Sequence, residues 1–240
     1  MAEQSPDRTT LGARFLAVGL AGSLALPASP ALAEKAAAHH GAESVITVTG
    51  RSGPAAPDLF GTVALPVRAD RFADGWRRAS EDASSSPAML GLIAPARSLN
   101  RRDQLTYVQT EVSRRIRWIS DATEWGRHDY WASARETLAR GAGDMEDRAI
   151  LKMQALRALG FRSTDLYLTV GKEKIGGPPI TILLVRLDGR FYWLDDWSGP
   201  PLPVERRPDF EPILSFSGNA SWLHGRRVPP RSALASAKSK

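Results

Sequence analysis

Leu105, Val108, Val112, Ile116 and Ile119 recur at spacings of three and four, the period of a helix that buries one face, and Arg101, Arg102, Arg114 and Arg115 fall largely off that stripe. Trp131, Ala134 and Leu138 predict a second, shorter helix, closed by Gly141-Ala142-Gly143. Met145, Ala149, Met153 and Leu156 mark a third, ending near Gly160. Asp144 is suited to cap it, because a carboxylate there accepts from the free N–H groups of the first turn. Glu146 and Asp147 add negative charge where the helix dipole is positive.

The pattern then changes to that of strands. Leu166-Tyr167-Leu168-Thr169-Val170 is one; Ile180-Thr181-Ile182-Leu183-Leu184-Val185 is a nearly unbroken apolar run, as a buried central strand requires; Phe191-Tyr192-Trp193-Leu194 is a third. Asp188-Gly189 between the last two predicts a hairpin, since that pair tolerates positive φ. Ile213-Leu214-Ser215-Phe216 predicts a strand at the sheet edge, and residues 84–88 read as a loop. Helices followed by a mostly antiparallel sheet make the fold class α+β.

The ends of the chain read differently. Residues 1–33 have the form of a secretory signal: Arg8 and Arg14, an apolar run over 15–26 too short to span a bilayer, then the small-residue site Ala31-Leu32-Ala33. Residues 34–57, rich in Ala, Gly, Ser and Pro, read as a flexible linker, in which His39 and His40 are solvated rather than metal-binding. The folded domain is expected over 58–228 and a basic, disordered tail over 229–240.

The net charge of the 240 residues is +6, but Arg226, Arg227, Arg231, Lys238 and Lys240 supply +5 of it without one acid among them. The charge is thus a property of the tail, suited at most to weak, salt-sensitive contact with anionic material, and nucleic acid is not an expected partner. The chain has no cysteine, which excludes disulfides, thiolate metal sites and a cysteine nucleophile.

The most informative stretch is Trp125-Gly126-Arg127-His128-Asp129-Tyr130-Trp131, then Glu136, then Gly141-Ala142-Gly143-Asp144-Met145-Glu146-Asp147 leading into Ala149-Ile150-Leu151-Lys152. This ordered series resembles the bacterial transglutaminase-like cysteine proteinases, exported relatives of the periplasmic proteases that cut biofilm adhesins. The resemblance runs from about Leu59-Phe60-Gly61-Thr62, through Trp76, to about Asp195, and weakens towards Trp222. It implies a papain/transglutaminase-like core in which the helix bearing the nucleophile packs on an antiparallel sheet.

In that family a cysteine at a helix N-terminus attacks, a histidine on a neighbouring strand is its base, and an aspartate on the next strand orients the histidine. Here the resemblance puts Met145 at the cysteine position and Ile180 at the histidine position, while Asp195 keeps the aspartate. A thioether has no proton to lose, so it cannot become a thiolate. Met145 is expected to continue the core stripe of Ala149 and Met153. The resemblance also implies calcium at Asp144, Glu146 and Asp147, although the same acids serve as cap and dipole partners. Arg148 stands where the family has an aromatic. Of the aromatic residues Trp118, Trp125, Tyr130 and Trp131, at least half are expected in the core, with a partner surface as the other use. His128 is expected at the surface, and nothing in the spacing of Ser198 and His224 supports a rebuilt hydrolase pair.

The expected function is that of an exported, catalytically inactive family member that binds a protein partner in the cell envelope, with calcium as the implied ion. The alternative is an active hydrolase with different, metal-assisted chemistry.

Overall fold

The computed structural model describes residues 56–196 and 199–226, together with the backbone of Thr47–Val48. The signal, most of the linker and the basic tail expected from the sequence lie outside the described residues. A two-residue strand inside the linker stretch, β1 (Thr47–Val48), pairs with β2 (Val63–Arg68).

The helices come next. α1 (Ala73–Ala79) is followed by α2 (Pro87–Ile93), α3 (Arg101–Arg115), β3 (Arg117–Trp118), α4 (Asp121–Glu124), α5 (Ala134–Arg140), β4 (Ala142–Gly143) and α6 (Met145–Ala158). The segment 84–88 is not wholly a loop. Ser86 caps α2 by accepting from the Met89 N–H, and Pro87 is preorganised for the first helical position, where its missing N–H costs nothing. The predicted stripe of α3 overruns its helix: Ile116 is the buried C-cap and Ile119 lies beyond β3. α5 opens with a full capping box between Ser133 and Glu136 and closes at Gly141, whose φ of 63° suits a residue without Cβ.

The sheet follows: β5 (Leu166–Glu173), β6 (Ile180–Leu187), β7 (Arg190–Leu194), β8 (Leu202–Pro203), β9 (Phe210–Ser217) and β10 (Ala220–Gly225). With β1 and β2 it forms one eight-stranded sheet in the order β1-β2-β10-β9-β5-β6-β7-β8, antiparallel at every pairing. The α+β expectation therefore holds, with one correction. The run 213–216 is not an edge strand; it belongs to β9, hydrogen-bonded on both sides between β10 and β5. Its second partner, β10, carries mixed residues that give no strand period on their own.

Alternation along the strands produces two apolar layers. Leu168, Leu183, Val185, Leu194, Leu214 and Phe216 face the helices and meet Ile150, Leu151, Met153 and Leu156 of α6 and Leu105, Val108 and Val112 of α3. Tyr167, Ile182, Leu184, Trp193, Phe210 and Trp222 face the other way, covered by Leu59 and Phe60. α6 is thus pressed against the sheet with its N-terminus near the start of β6.

Candidate functional site

At that corner the thioether sulfur of Met145 accepts the backbone N–H of Thr181 at 3.3 Å. Met145 is the first residue of α6 and is half-buried, whereas Ala149 and Met153 are buried. It does not continue the core stripe, because a first-turn side chain lies at the rim and only its sulfur reaches the sheet. Ile180 begins β6 and packs against the apolar layer of Trp193 and Phe210. Asp195 follows the end of β7, and continuing the pairing of Leu183 with Leu194 by one step sets it beside Ile182.

Asp195 is held from several directions. The Trp193 indole N–H donates to its Oδ2 at 2.7 Å, Gln109 donates to its Oδ1 and its carbonyl at 3.3 and 3.1 Å, and Arg207 stands 3.8 Å from Oδ2. The fully buried Lys152 ammonium also donates to the Asp195 carbonyl. Burial pushes the Lys152 ammonium down to about 8. Next to Asp195, Asp196 pairs with the buried Arg148 at 3.2 Å, and Arg148 donates to the Ser113 carbonyl at 2.7 Å. At the position where the family has an aromatic, the arginine therefore ties α6 to α3 and to the end of β7 through polar contacts.

The second feature of the corner is acidic. Asp144 caps α6, accepting from the N–H of Glu146 at 3.2 Å and of Asp147 at 3.5 Å. Asp147 accepts the Ala132 N–H at 2.7 Å with one oxygen, and its other oxygen is buried without a hydrogen-bond partner. Asp121, the first residue of α4, accepts the Tyr130 N–H, and its second oxygen is likewise buried without a partner. Asp121, Asp144 and Asp147 can each offer one oxygen within 4.8 Å of the others.

The three-oxygen group includes Asp121, which the sequence did not single out, and leaves out Glu146, which it did. Asp121 is brought in from α4 by a tertiary contact, and Glu146, one residue before Asp147, leaves the helix in a different direction. Glu146 lies beside Asp144 but outside the three-oxygen group. Burial, reinforced by the crowding of like charge, pushes Asp147 up to about 8 and Asp121 up to about 6, and raises Asp144. Burial followed by the charge of Asp144 pushes Glu146 up to about 9. Orphaned carboxylate oxygens on hard donors fit a divalent cation such as calcium, which would neutralise the crowding. Close approach of the chain is part of the arrangement: a Cβ on Gly143 would come within 2.7 Å of the Asp147 Cβ.

The remaining sequence-singled residues divide. Trp131 is buried in the main core, and Trp125 packs against Tyr130 at a 40° tilt with centroids 4.4 Å apart. Trp118, paired with Gly143 in the short parallel β3–β4 ladder, is 57% exposed. His128 is exposed, and Ser198 lies outside the described residues.

His224 is buried on β10 in a chain of hydroxyls. The Thr62 hydroxyl gives its one proton to the Leu59 carbonyl at 2.7 Å, so it accepts from His224 Nδ1 at 2.9 Å. His224 Nε2 then accepts from the Ser215 hydroxyl at 2.8 Å, and the Thr169 hydroxyl, which also lies 3.4 Å from the Tyr167 carbonyl, is 3.0 Å from the Ser215 oxygen. Burial pushes the imidazole down to about 4. Ser215 is fully buried, so this chain welds three strands rather than facing a substrate.

A helix N-terminus set against the start of one strand and the end of the next, on an antiparallel sheet, is the arrangement of transglutaminase-like proteases. The chain belongs to the bacterial transglutaminase-like cysteine proteinases: the model of that family matches residues 77–199, just over half of it. Solved structures of LapG from Legionella pneumophila are similar in fold. One has 24% identity and a TM-score of 0.51, covering 69% of this chain and 87% of that one. The EGTA-treated form has 26% identity and a TM-score of 0.52, with coverage of 66% and 84%. The calcium-bound form has 23% identity and a TM-score of 0.50, with coverage of 70% and 98%. Comparison with curated proteins finds no match. No helix among the described residues is long and apolar enough to cross a membrane.

Proposed function

We propose that this chain is an exported, catalytically inactive member of its family that works by binding a protein partner in the cell envelope. The observation that carries the reading is Met145: the residue at the N-terminus of the helix facing β6 is a thioether, in a chain with no cysteine at all. The base position Ile180 is aliphatic, and Asp195, kept at the third position, is engaged by Trp193, Gln109 and Arg207. Neither a thioether nor an aliphatic side chain can attack a carbonyl as a thiolate does or relay a proton as an imidazole does.

Calcium is part of the proposal. Asp121, Asp144 and Asp147 would hold the ion, with Glu146 close by, and bound calcium would supply positive charge that fixes the start of α4 to the start of α6. The exposed Trp118 beside Gly143 supports a partner-facing surface at this corner, since tryptophan anchors interfaces well. The calcium-bound LapG structure supports the choice of ion. Export rests on the signal-like residues 1–33.

The deciding experiment is an assay of peptide and amide hydrolysis by the purified chain, with calcium and with chelator. No turnover above background is expected. Turnover that vanishes in the Asp195→Ala variant overturns the inactive reading. Turnover that instead follows the metal and is lost in Asp147→Asn favours metal-assisted hydrolysis, the second reading, which the orphaned carboxylate oxygens of Asp121 and Asp147 make worth testing.

A further inference from the structure

A groove runs between α1 and the tip of the β9–β10 hairpin, past the last turn of α6. We propose that it is a saccharide-binding site, in which the indole of Trp76 carries a sugar ring and the polar groups around it take the ring's hydroxyls.

The groove consists of two cavities, of about 150 Å³ and about 350 Å³, that share Trp76 and Asn219. Met153 and Leu166 form the buried wall of the smaller one. Val67 and Phe216 form that of the larger, which the exposed ion pair of Arg68 and Asp70 also lines. Arg157, on the smaller cavity, lies twelve residues beyond Met145 on α6, about 18 Å along the helix axis, so the groove is separate from the Met145 corner.

Trp131, Trp193 and Trp222 are each 4% exposed or less, whereas Trp76 is half-buried. Its ring is nevertheless held firmly, stacked on that of Phe216 with centroids 5.2 Å apart and planes 27° from parallel. A fixed indole at the junction of two cavities offers an electron-rich surface to the C–H groups of a sugar ring.

The polar groups around it have hydrogen bonds to spare. Ser80 Oγ, on the smaller cavity, is buried without a partner, a costly state that a ligand hydroxyl would relieve. The Ser163 hydroxyl and the Asn219 amide bond to none of the described residues. Arg157 spends Nη1 on the Ser80 carbonyl at 3.1 Å and on Gln154 Oε1 at 3.2 Å, and its Nε and Nη2 have no partner among the described residues. Two hydroxyls, an amide and a guanidinium edge thus surround one aromatic plate, a mixture of donors and acceptors that matches a ring of hydroxyls.

An extended peptide fits the groove less well. The strands beside it, β2, β9 and β10, are each hydrogen-bonded on both sides, and the Ser221 hydroxyl donates to the Val67 carbonyl at 2.8 Å, so no main-chain edge is open for strand addition. Among the described residues lining the smaller cavity Arg157 alone is charged, which suits hydroxyls or a sugar carboxylate.

Titration calorimetry of the purified chain tests this, with maltotetraose, cellotetraose and chitotetraose as neutral probes and tetragalacturonate as an acidic one. At least one should bind with a Kd below about 1 mM. Trp76→Ala should weaken that binding at least about tenfold, as loss of an aromatic anchor does. Asn219→Ala, at an exposed hairpin tip where the fold is not at stake, should weaken it several-fold. A preference for tetragalacturonate that disappears in Arg157→Gln identifies an acidic sugar; equal binding of neutral and acidic probes identifies the hydroxyls as the recognised groups. Absence of heat with all four probes up to about 10 mM overturns the proposal. So does sugar binding that either Trp76→Ala or Asn219→Ala leaves unchanged. Tetraalanine binding tighter than every sugar also overturns it and makes the groove a peptide site. The hydrolysis assay is decided independently of all these results, since it concerns the other end of α6.

Discussion

Met145 and Thr181 join the helix to the sheet through a sulfur: the Thr181 backbone N–H donates to the Met145 thioether at 3.3 Å. A thioether is a weak acceptor, so the contact is a packing seam between α6 and β6 rather than a strong bond. It puts a flexible, unionisable side chain at the junction of the helix and the sheet.

Because the chain has no other sulfhydryl, Met145→Cys creates a unique thiol at a helix N-terminus. The helix dipole favours the thiolate, and the neighbouring carboxylate of Asp144 opposes it. With calcium on the acidic group the opposition is lifted, so the rate of modification by a disulfide reagent at pH 7 should rise at least about threefold over a chelator control. An unchanged rate would argue against calcium near residue 145.

The orphaned oxygens of Asp121 and Asp147 predict a linked pair of thermal shifts. The native chain should gain several degrees in millimolar calcium relative to chelator, since a ligand that binds only the folded state stabilises it. Asp147→Asn keeps an acceptor for the Ala132 N–H and removes a carboxyl whose ionisation burial and the charge of Asp144 oppose. In chelator it should melt no lower than the native chain, and its calcium shift should be lost.

Gly143 and Gly91 separate steric cost from backbone entropy. A Cβ at Gly143 meets the Asp147 side chain at 2.7 Å, whereas one at Gly91, inside α2, meets nothing within 4 Å. Gly143→Ala should destabilise by roughly 1–3 kcal/mol, the cost of forcing extra volume into a packed site. Gly91→Ala should stabilise by about 0.5–1 kcal/mol through helix propensity. Urea unfolding of the two variants gives both values.

His224 sets an acid limit. Its folded value of about 4 lies below the 6.5 of an unburied imidazole, so the unfolded chain takes up the proton first. Its contribution is complete above about pH 6.5 and is lost as pH falls towards 4. Between pH 7 and pH 4.5 the native chain should lose about 2 kcal/mol more stability than His224→Gln, measured by denaturant titration at each pH. Equal losses would show that the Thr62–His224–Ser215 chain tolerates the proton by reversing its hydroxyls.

Lys152 acts at the alkaline end. Its folded value of about 8 lies below the ordinary 10.5, so the cost of burying the charge is present at pH 7 and fades as pH rises from 8 towards 10.5. Lys152→Met keeps the stem volume, and Gln109 still donates to the Asp195 carbonyl. The variant should be at least as stable as the native chain at pH 7, with the native chain gaining on it above pH 9 in parallel unfolding curves.

Elements whose side-chain period matches their burial are legible in the chain alone. The apolar face of α3, the capped start of α6 at Asp144 and the unbroken run of β6 all follow from local spacing. So does the family, because the ordered block from Trp125 to Asp147 records local chemistry, and so does the absence of any thiol. Tertiary structure decided what depends on residues far apart. β9 became central because β10, a strand of mixed residues, pairs with its other side. Met145 stayed at the rim because the first turn of a helix ends where the sheet begins. Asp121 joined Asp144 and Asp147 because α4 is carried to the start of α6 by the β3–β4 pairing between Trp118 and Gly143. Spacing along a chain fixes which face a residue takes on its own element; only packing fixes which other element that face meets.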